Sequence, residues 1–191
     1  QSRQDKGGLV IVDMPGGFDM PRELMGEEEL CIAYYEQPEV IRDMLDTFAD
    51  TCEKVLEQLS AVVKVDNLFV HEDMAGKSGP LIGPAMFDKF VAPYYQRVWN
   101  AAKAAGARVF SQDSDGNMNP IIENNIKAGI NLMLPMEPGS GMDIVECRKK
   151  YGQKMAYKAG IDKNILSVFE RIMNKSECVT DIRSKKFLIF H

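Results

Sequence analysis

The chain has 191 residues, 45% of them hydrophobic, and a net charge of −5. That length can bury a real core, so a folded domain is expected in place of a disordered segment. The acidic balance and the lack of a long basic run argue against nucleic acid as a partner, and no apolar run reaches the ~20 residues of a membrane helix. The first eight residues are polar and lack a signal-peptide pattern. Four scattered cysteines (Cys31, Cys52, Cys147, Cys178) form no CxxC pair, so reduced thiols and a cytoplasmic location are expected. Most of the twelve methionines should fill core, with the rest lining a broad apolar ligand site.

In chain order, residues 9–12 (Leu-Val-Ile-Val) read as a buried strand ending at Asp13, followed by the turn Pro15-Gly16-Gly17. Residues 21–35 read as a short helix. Pro38 opens a long one, on which Ile41, Met44, Leu45, Phe48, Cys52, Val55, Leu56 and Leu59 recur with helical period. Leu68-Phe69-Val70 is the second strand, ending at His71-Glu72-Asp73. A glycine- and proline-rich loop leads to a helix in which Pro93 must force a kink or a restart, with Gly106 as its C-cap. The third strand runs from Ala107 toward Asp113, and the turn around Asp115-Gly116-Asn117 leads to a helix with Asn119 as cap and Pro120 in its first position. Residues 130–134 make a fourth strand ending near Glu137. A helix through Ile144, Val145 and Cys147 closes at Tyr151-Gly152. Residues 155–157 make a fifth strand before Asp162, which caps a last helix over 165–173. Residues 187–190 could form a further strand.

Five β-α repeats predict an α/β fold with a parallel sheet and right-handed crossovers. A closed (β/α)8 TIM barrel takes ~250 residues, so a partial barrel of about five βα units in one domain is expected. The rival is an independent doubly wound sheet. Residues 1–8 and 175–191 read as tails outside the repeat pattern. The open edges of a partial barrel invite homodimerisation or other self-association.

Ligands of parallel α/β folds sit at the carboxyl ends of the strands. Those ends carry Asp13; His71, Glu72 and Asp73; Asp113 and Asp115; Glu137; and Asp162. Glu72 alternates with His71 and is expected to point away from the barrel centre. His71 with Asp73, and Asp113 with Asp115, share parity and should face the same way. Crowded carboxylates call for a cation, a proton or a basic ligand. Two accounts stay open: a divalent metal such as Zn²⁺ on His71, Asp113, Asp115 and Glu137, or a polar mouth with one acid held protonated. Asp73 is the candidate catalytic base, and Asp13 and Met74 are expected to contact substrate.

The run Glu72-Asp73-Met74-Ala75-Gly76-Lys77-Ser78-Gly79-Pro80, with Phe87, Phe90 and Pro93-Tyr94 behind it, resembles the fourth-strand motif of the uroporphyrinogen decarboxylase family. Met14-Pro15-Gly16-Gly17 resembles that family's third-strand glycine turn, and Gly160-Ile161-Asp162-Lys163 through Leu166 resembles a later segment. The resemblance spans about residues 9–166 and implies strands three to seven of a (β/α)8 barrel, often dimeric, whose members handle tetrapyrroles.

Two chemistries are implied by that resemblance. Decarboxylases convert acetate side chains of uroporphyrinogen to methyls, in porphyrin biosynthesis, without metal or organic cofactor. Corrinoid-linked methyltransferases hold Zn²⁺ through a His-x-Cys pair and a later cysteine, and work with a methyl donor and a corrinoid protein. This chain departs from both patterns. The decarboxylase tyrosine falls near Val12 and its serine at Asp73, where a carboxylate would repel an acidic substrate. The His-x-Cys falls at Asp113-Ser114-Asp115, which puts oxygen where thiolate is expected. Glu137 falls where some zinc methyltransferases of the same barrel use a glutamate. Metal-assisted, corrinoid-linked methyl transfer is the leading expectation, followed by porphyrinogen decarboxylation, then by a non-catalytic binding role.

Overall fold

The computed structural model describes residues 3–158 of the chain. The strands are β1 (Ile11–Met14), β2 (Asn67–His71), β3 (Ala75–Gly76), β4 (Gly79–Pro80), β5 (Val109–Asp113), β6 (Leu132–Leu134) and β7 (Ala156–Tyr157). β3 and β4 form a small antiparallel hairpin. The other five make one sheet in the order β1-β2-β5-β6-β7, with every neighbouring pair parallel. Hairpin aside, spatial order is chain order. A doubly wound sheet reverses its order at a switch point, whereas a barrel wall does not. The chain is therefore an α/β partial TIM barrel, and the doubly wound alternative falls away.

The helices follow from local sequence. α1 (Asp19–Met25) and α2 (Glu27–Glu36) replace the single helix expected over 21–35, because Gly26 between them takes φ +88°. α3 (Pro38–Ser60) starts at its proline and buries Ile41, Leu45, Ala49, Cys52 and Leu56. The next helical stretch comes in three pieces: α4 (Pro84–Met86), a π-helical turn (Phe87–Val91) and α5 (Ala92–Ala104). The wide turn just ahead of Pro93 absorbs the helical hydrogen bond that proline cannot make, so the chain continues into α5 without a break. α6 (Ile122–Ala128) follows a 3₁₀ turn over Asn119–Ile121. Asn119 is not its cap; Asn117 Oδ1 accepts the Asn119 N–H at 3.1 Å instead. α7 (Ile144–Tyr151) is capped by Asp143, whose Oδ1 accepts from the N–H of Val145 at 2.8 Å and of Glu146 at 3.1 Å.

The core lies between the sheet and this helical layer. Leu68, Val70, Phe110, Gln112 and Met133 are buried beneath the helices, with Phe110 packed at 5.3 Å from the Tyr95 ring and 5.4 Å from Trp99. The opposite face, which lines the interior of a closed barrel, carries Ile11, Phe69, Val109 and Leu132; Ile11 is 58% exposed. Both strand shifts relative to the sequence reading, β1 starting at Ile11 and β5 at Val109, keep this alternation intact. Near the N-terminus Gln4 Nε2 donates to the Lys64 carbonyl at 2.8 Å and to Asp66 at 3.0 Å, which ties part of the expected tail to the strand's approach. Cys31, Cys52 and Cys147 are free. No helix among the described residues is long and apolar enough to cross a membrane. Cys178, Asp162, the helix expected over 165–173 and the segment 175–191 lie outside the described residues.

Gly116 joins the β5 loop to the β3–β4 hairpin. It takes φ +89°, and an added Cβ would overlap the Ala75 carbonyl. The neighbouring Asn117 N–H donates to the Gly76 carbonyl at 2.9 Å. Gly83, by contrast, has ordinary backbone and open space. Gly116→Ala should cost about 2–4 kcal/mol, while Gly83→Ala should change stability by less than about 1 kcal/mol. Urea denaturation of the two variants checks the contrast.

Candidate active-site rim

β2 and β5 end in register, with His71 opposite Asp113. Beyond that point the two parities part. Glu72 turns under the helical layer and is 0% exposed. Its Oε1 accepts the Gly17 N–H at 2.6 Å and the Tyr95 phenol in a short bond; its Oε2 accepts the N–H of Phe18 at 2.8 Å and of Asp19 at 2.9 Å. Gln112 Nε2 then donates to the Tyr95 oxygen at 3.1 Å. Burial raises the Glu72 pKa above the ordinary carboxylate value, against the pull of these four donors. Each oxygen thus takes two donors, which favours the ionised form and works against the burial.

The glycines of the first turn make this possible. A Cβ on Gly16 would overlap the His71 carbonyl and approach Glu72 Oε2 to 2.7 Å, and one on Gly17 would meet Val91 at 2.9 Å. The turn is held further by Tyr94, whose hydroxyl donates to the Pro15 carbonyl at 2.5 Å.

Drawing residues 17–19 onto Glu72 delivers Asp19 to the rim. His71 Nδ1 lies 3.2 Å from Asp19 Oδ2, and His71 Nε2 lies 3.6 Å from Asp73 Oδ2. Arg22, one turn along α1, forms a close ion pair with Asp19. The His71 side chain is 48% exposed. Burial, the largest single influence, lowers its pKa; the Asp19 hydrogen bond and the charges of Asp73, Asp19 and Asp113 outweigh it, and the result is a raised value. Asp113 is also raised, chiefly by burial and further by Asp115 and Asp73, against the opposing charges of His71 and Lys158.

The remaining candidates divide. Asp73 sits at φ +43°, an uncommon conformation for a residue with a side chain, and its Oδ1 accepts the Asp115 N–H at 3.3 Å. Glu137 Oε2 accepts from Gly116 N–H at 3.2 Å and from the Ser140 hydroxyl at 3.3 Å, so it ties its loop to the loop that carries Asp115. Asp13 is exposed on the interior-facing side of β1. Met74 is 0% exposed; its side chain belongs to the core, and its N–H donates to Ser114 Oγ at 3.1 Å. His71, Asp73, Asp113 and Asp115 thus share one end of adjacent elements, with Glu137 one loop away. Asp19 and Arg22 join them, and sequence reasoning missed both. The one available signal was the Gly16-Gly17 turn, which folds the chain back over the strand ends.

Among the described residues, no group of three or more His, Cys, Asp or Glu side chains has the geometry of a metal site. His71 turns Nδ1 to Asp19, Glu137 serves its loops, and no cysteine lies among the rim groups. As arranged, the donors do not fit the zinc centre that the resemblance implies.

Two outcomes follow. Glu72→Gln puts an amide N–H₂ against N–H donors and should destabilise the fold by roughly 2–4 kcal/mol, measured by urea denaturation. The raised His71 pKa means that its charged form stabilises the fold below its unfolded pKa, and that this contribution fades as pH rises through the folded value. The stability gap between the wild type and His71→Gln should therefore be larger at about pH 5.5 than at about pH 9, and equal gaps would contradict the assignment.

Comparison with known proteins bears on this geometry. The model of the uroporphyrinogen decarboxylase (URO-D) family matches residues 5–156. Among curated proteins no match is found. Among solved structures, a methyltransferase from Methanosarcina mazei superimposes with a TM-score of 0.58 at 15% identity, over 81% of this chain and 44% of the neighbour. The chain spans less than half of that neighbour's length, and identity this low shows a shared fold alone. The family match runs from ahead of β1 into β7 and takes in Asp19, His71, Asp73, Asp113, Asp115 and Glu137, and the chain belongs to the uroporphyrinogen decarboxylase family.

Proposed function

We propose that the chain forms the strand-three-to-seven part of a family enzyme that carries out a tetrapyrrole-linked reaction at this rim, with methyl transfer favoured over decarboxylation of uroporphyrinogen. The observation that carries the reading is the convergence of His71, Asp73, Asp113 and Asp115 where two adjacent parallel strands end, the pole at which barrel enzymes place their chemistry. Its charge favours methyl transfer. Asp19, Asp73, Asp113, Asp115 and Glu137 outnumber Arg22, His71 and Lys158. A porphyrinogen bearing many carboxylates meets repulsion there, of order 1 kcal/mol per close pair in water. A methyl donor with few negative charges, serving a corrinoid or a corrinoid protein, does not. The methyltransferase from Methanosarcina mazei that shares this fold is in keeping with methyl transfer.

Within this reading Asp73 and Asp113 orient the ligand and His71 handles protons.

Binding titrations with cobalamin and with uroporphyrin I test the choice. Cobalamin should bind at least about tenfold more tightly, and Asp73→Ser should recover uroporphyrin affinity by roughly fivefold through the loss of one repelling charge. Tight uroporphyrin binding by the wild type would reverse the assignment. Stoichiometric zinc in the purified protein, lost in Asp113→Ala, would overturn the metal-free account of the rim.

A further inference from the structure

The contact between α1 and the end of β2 carries an inference about how the rim handles protons. We propose that Asp19 is a positioning residue that locks the His71 ring with its Nε2–H directed into the rim, which makes His71 a proton donor to the bound ligand and not a metal ligand. The inference rests on the rim being the reaction site, and it holds for either reaction considered above.

Asp19 is well placed for this work. Its backbone N–H is fixed on the buried Glu72 carboxylate at 2.9 Å, and its side chain is paired with Arg22. Asp19 Oδ2 takes the Nδ1 side of the ring at 3.2 Å. That contact sets the ring plane and, in neutral imidazole, selects the Nδ1–H tautomer. The other nitrogen is 3.6 Å from Asp73 Oδ2, beyond hydrogen-bond reach but within range of its charge. Nε2 is therefore drawn toward its protonated state without being consumed by a bond. The charged groups that act on the ring are Asp19 from α1, Asp73 after β2 and Asp113 at the β5 end; Arg22 pairs with Asp19, and Asp115 and Lys158 act on Asp113. Carboxylates outnumber cations among them, and the ring's pKa is raised accordingly. The half-exposed edge lets water restore the proton after it leaves.

The step is balanced as follows. A ligand atom that gains electron density, either a heteroatom losing a bond or a carbon left by a departing carboxylate, supplies the electron pair for a new bond to hydrogen. The Nε2–H bond breaks, its pair stays on nitrogen, and the imidazolium becomes neutral imidazole. Asp19 remains ionised throughout. Water then returns one proton to Nε2.

¹⁵N NMR of the histidine rings tests this in the ligand-free protein, so its result does not depend on which tetrapyrrole binds. The His71 signal is assigned with His71→Asn, since His191 is the second histidine of the sequence. In the wild type His71 should titrate above its ordinary value near 6.5 and pass to the Nδ1–H tautomer when neutral. Asp19→Asn should lower that pKa by roughly one unit and shift the neutral ring toward Nε2–H, with unfolding still cooperative. Asp73→Asn should lower the pKa and leave the tautomer unchanged. Micromolar Zn²⁺ should leave the wild-type ring shifts in place. An unchanged tautomer in Asp19→Asn, a wild-type pKa at or below 6.5, or a zinc-induced shift of Nε2 would each overturn the proposal. The wild-type titration and the zinc addition decide the matter even if a variant fails to fold.

Discussion

Glu72 brings a carboxylate out of water at the end of β2, and both of its oxygens are occupied: three backbone N–H groups from residues 17–19 and the Tyr95 hydroxyl. A bare carboxylate in that position would cost several kcal/mol of lost hydration. Four donors offset the cost, and they come from the β1–α1 turn and from α5. The bond set therefore staples two successive βα units together immediately beneath the rim. Gly16 and Gly17 are required because the backbone must approach the end of β2 more closely than any side chain would allow. The position of Asp19, and through it the orientation of His71, is a consequence of this staple.

The rim above the staple is electrostatically dense. His71 stands between Asp19 and Asp73, while Asp113 is pushed toward its neutral form by burial and by neighbouring acids. His71 and Asp113, on paired strands, both have pKa values shifted upward, so each holds its proton more readily than it would in water. The hairpin of β3 and β4 and the loop bearing Glu137 close around Gly116, so the acids are held on a rigid frame. The rim held on this frame carries more carboxylates than cations.

Much of this was legible in the sequence, for physical reasons. The five parallel strands with the helices between them, the start of α3 at Pro38 and the end of α7 at Tyr151 follow from periodicity and from proline and glycine signals that act locally. The acids at the strand ends followed from counting along those units, and the outward turn of Glu72 from strand alternation. The division of α1 from α2 depends on the φ that Gly26 takes, and the π turn before Pro93 is one of several ways to absorb a proline. Neither can be read from a period. Asp19 escaped because its role depends on a contact 52 residues away in sequence, made by a turn whose path only tertiary packing fixes. Met74, expected to contact substrate, has the parity of the buried Glu72 and is itself fully buried in the core, which its type and place beside the strand end do not reveal.

The central claim is that Glu72 holds the rim by binding the amides of Gly17, Phe18 and Asp19. Native-state hydrogen exchange at those three amides tests it most directly. The account predicts exchange as slow as that of the central strands β2 and β5, opening only with global unfolding. Rapid exchange at these amides, while β2 and β5 stay protected, would show that the staple does not exist and that the geometry of the rim has another origin.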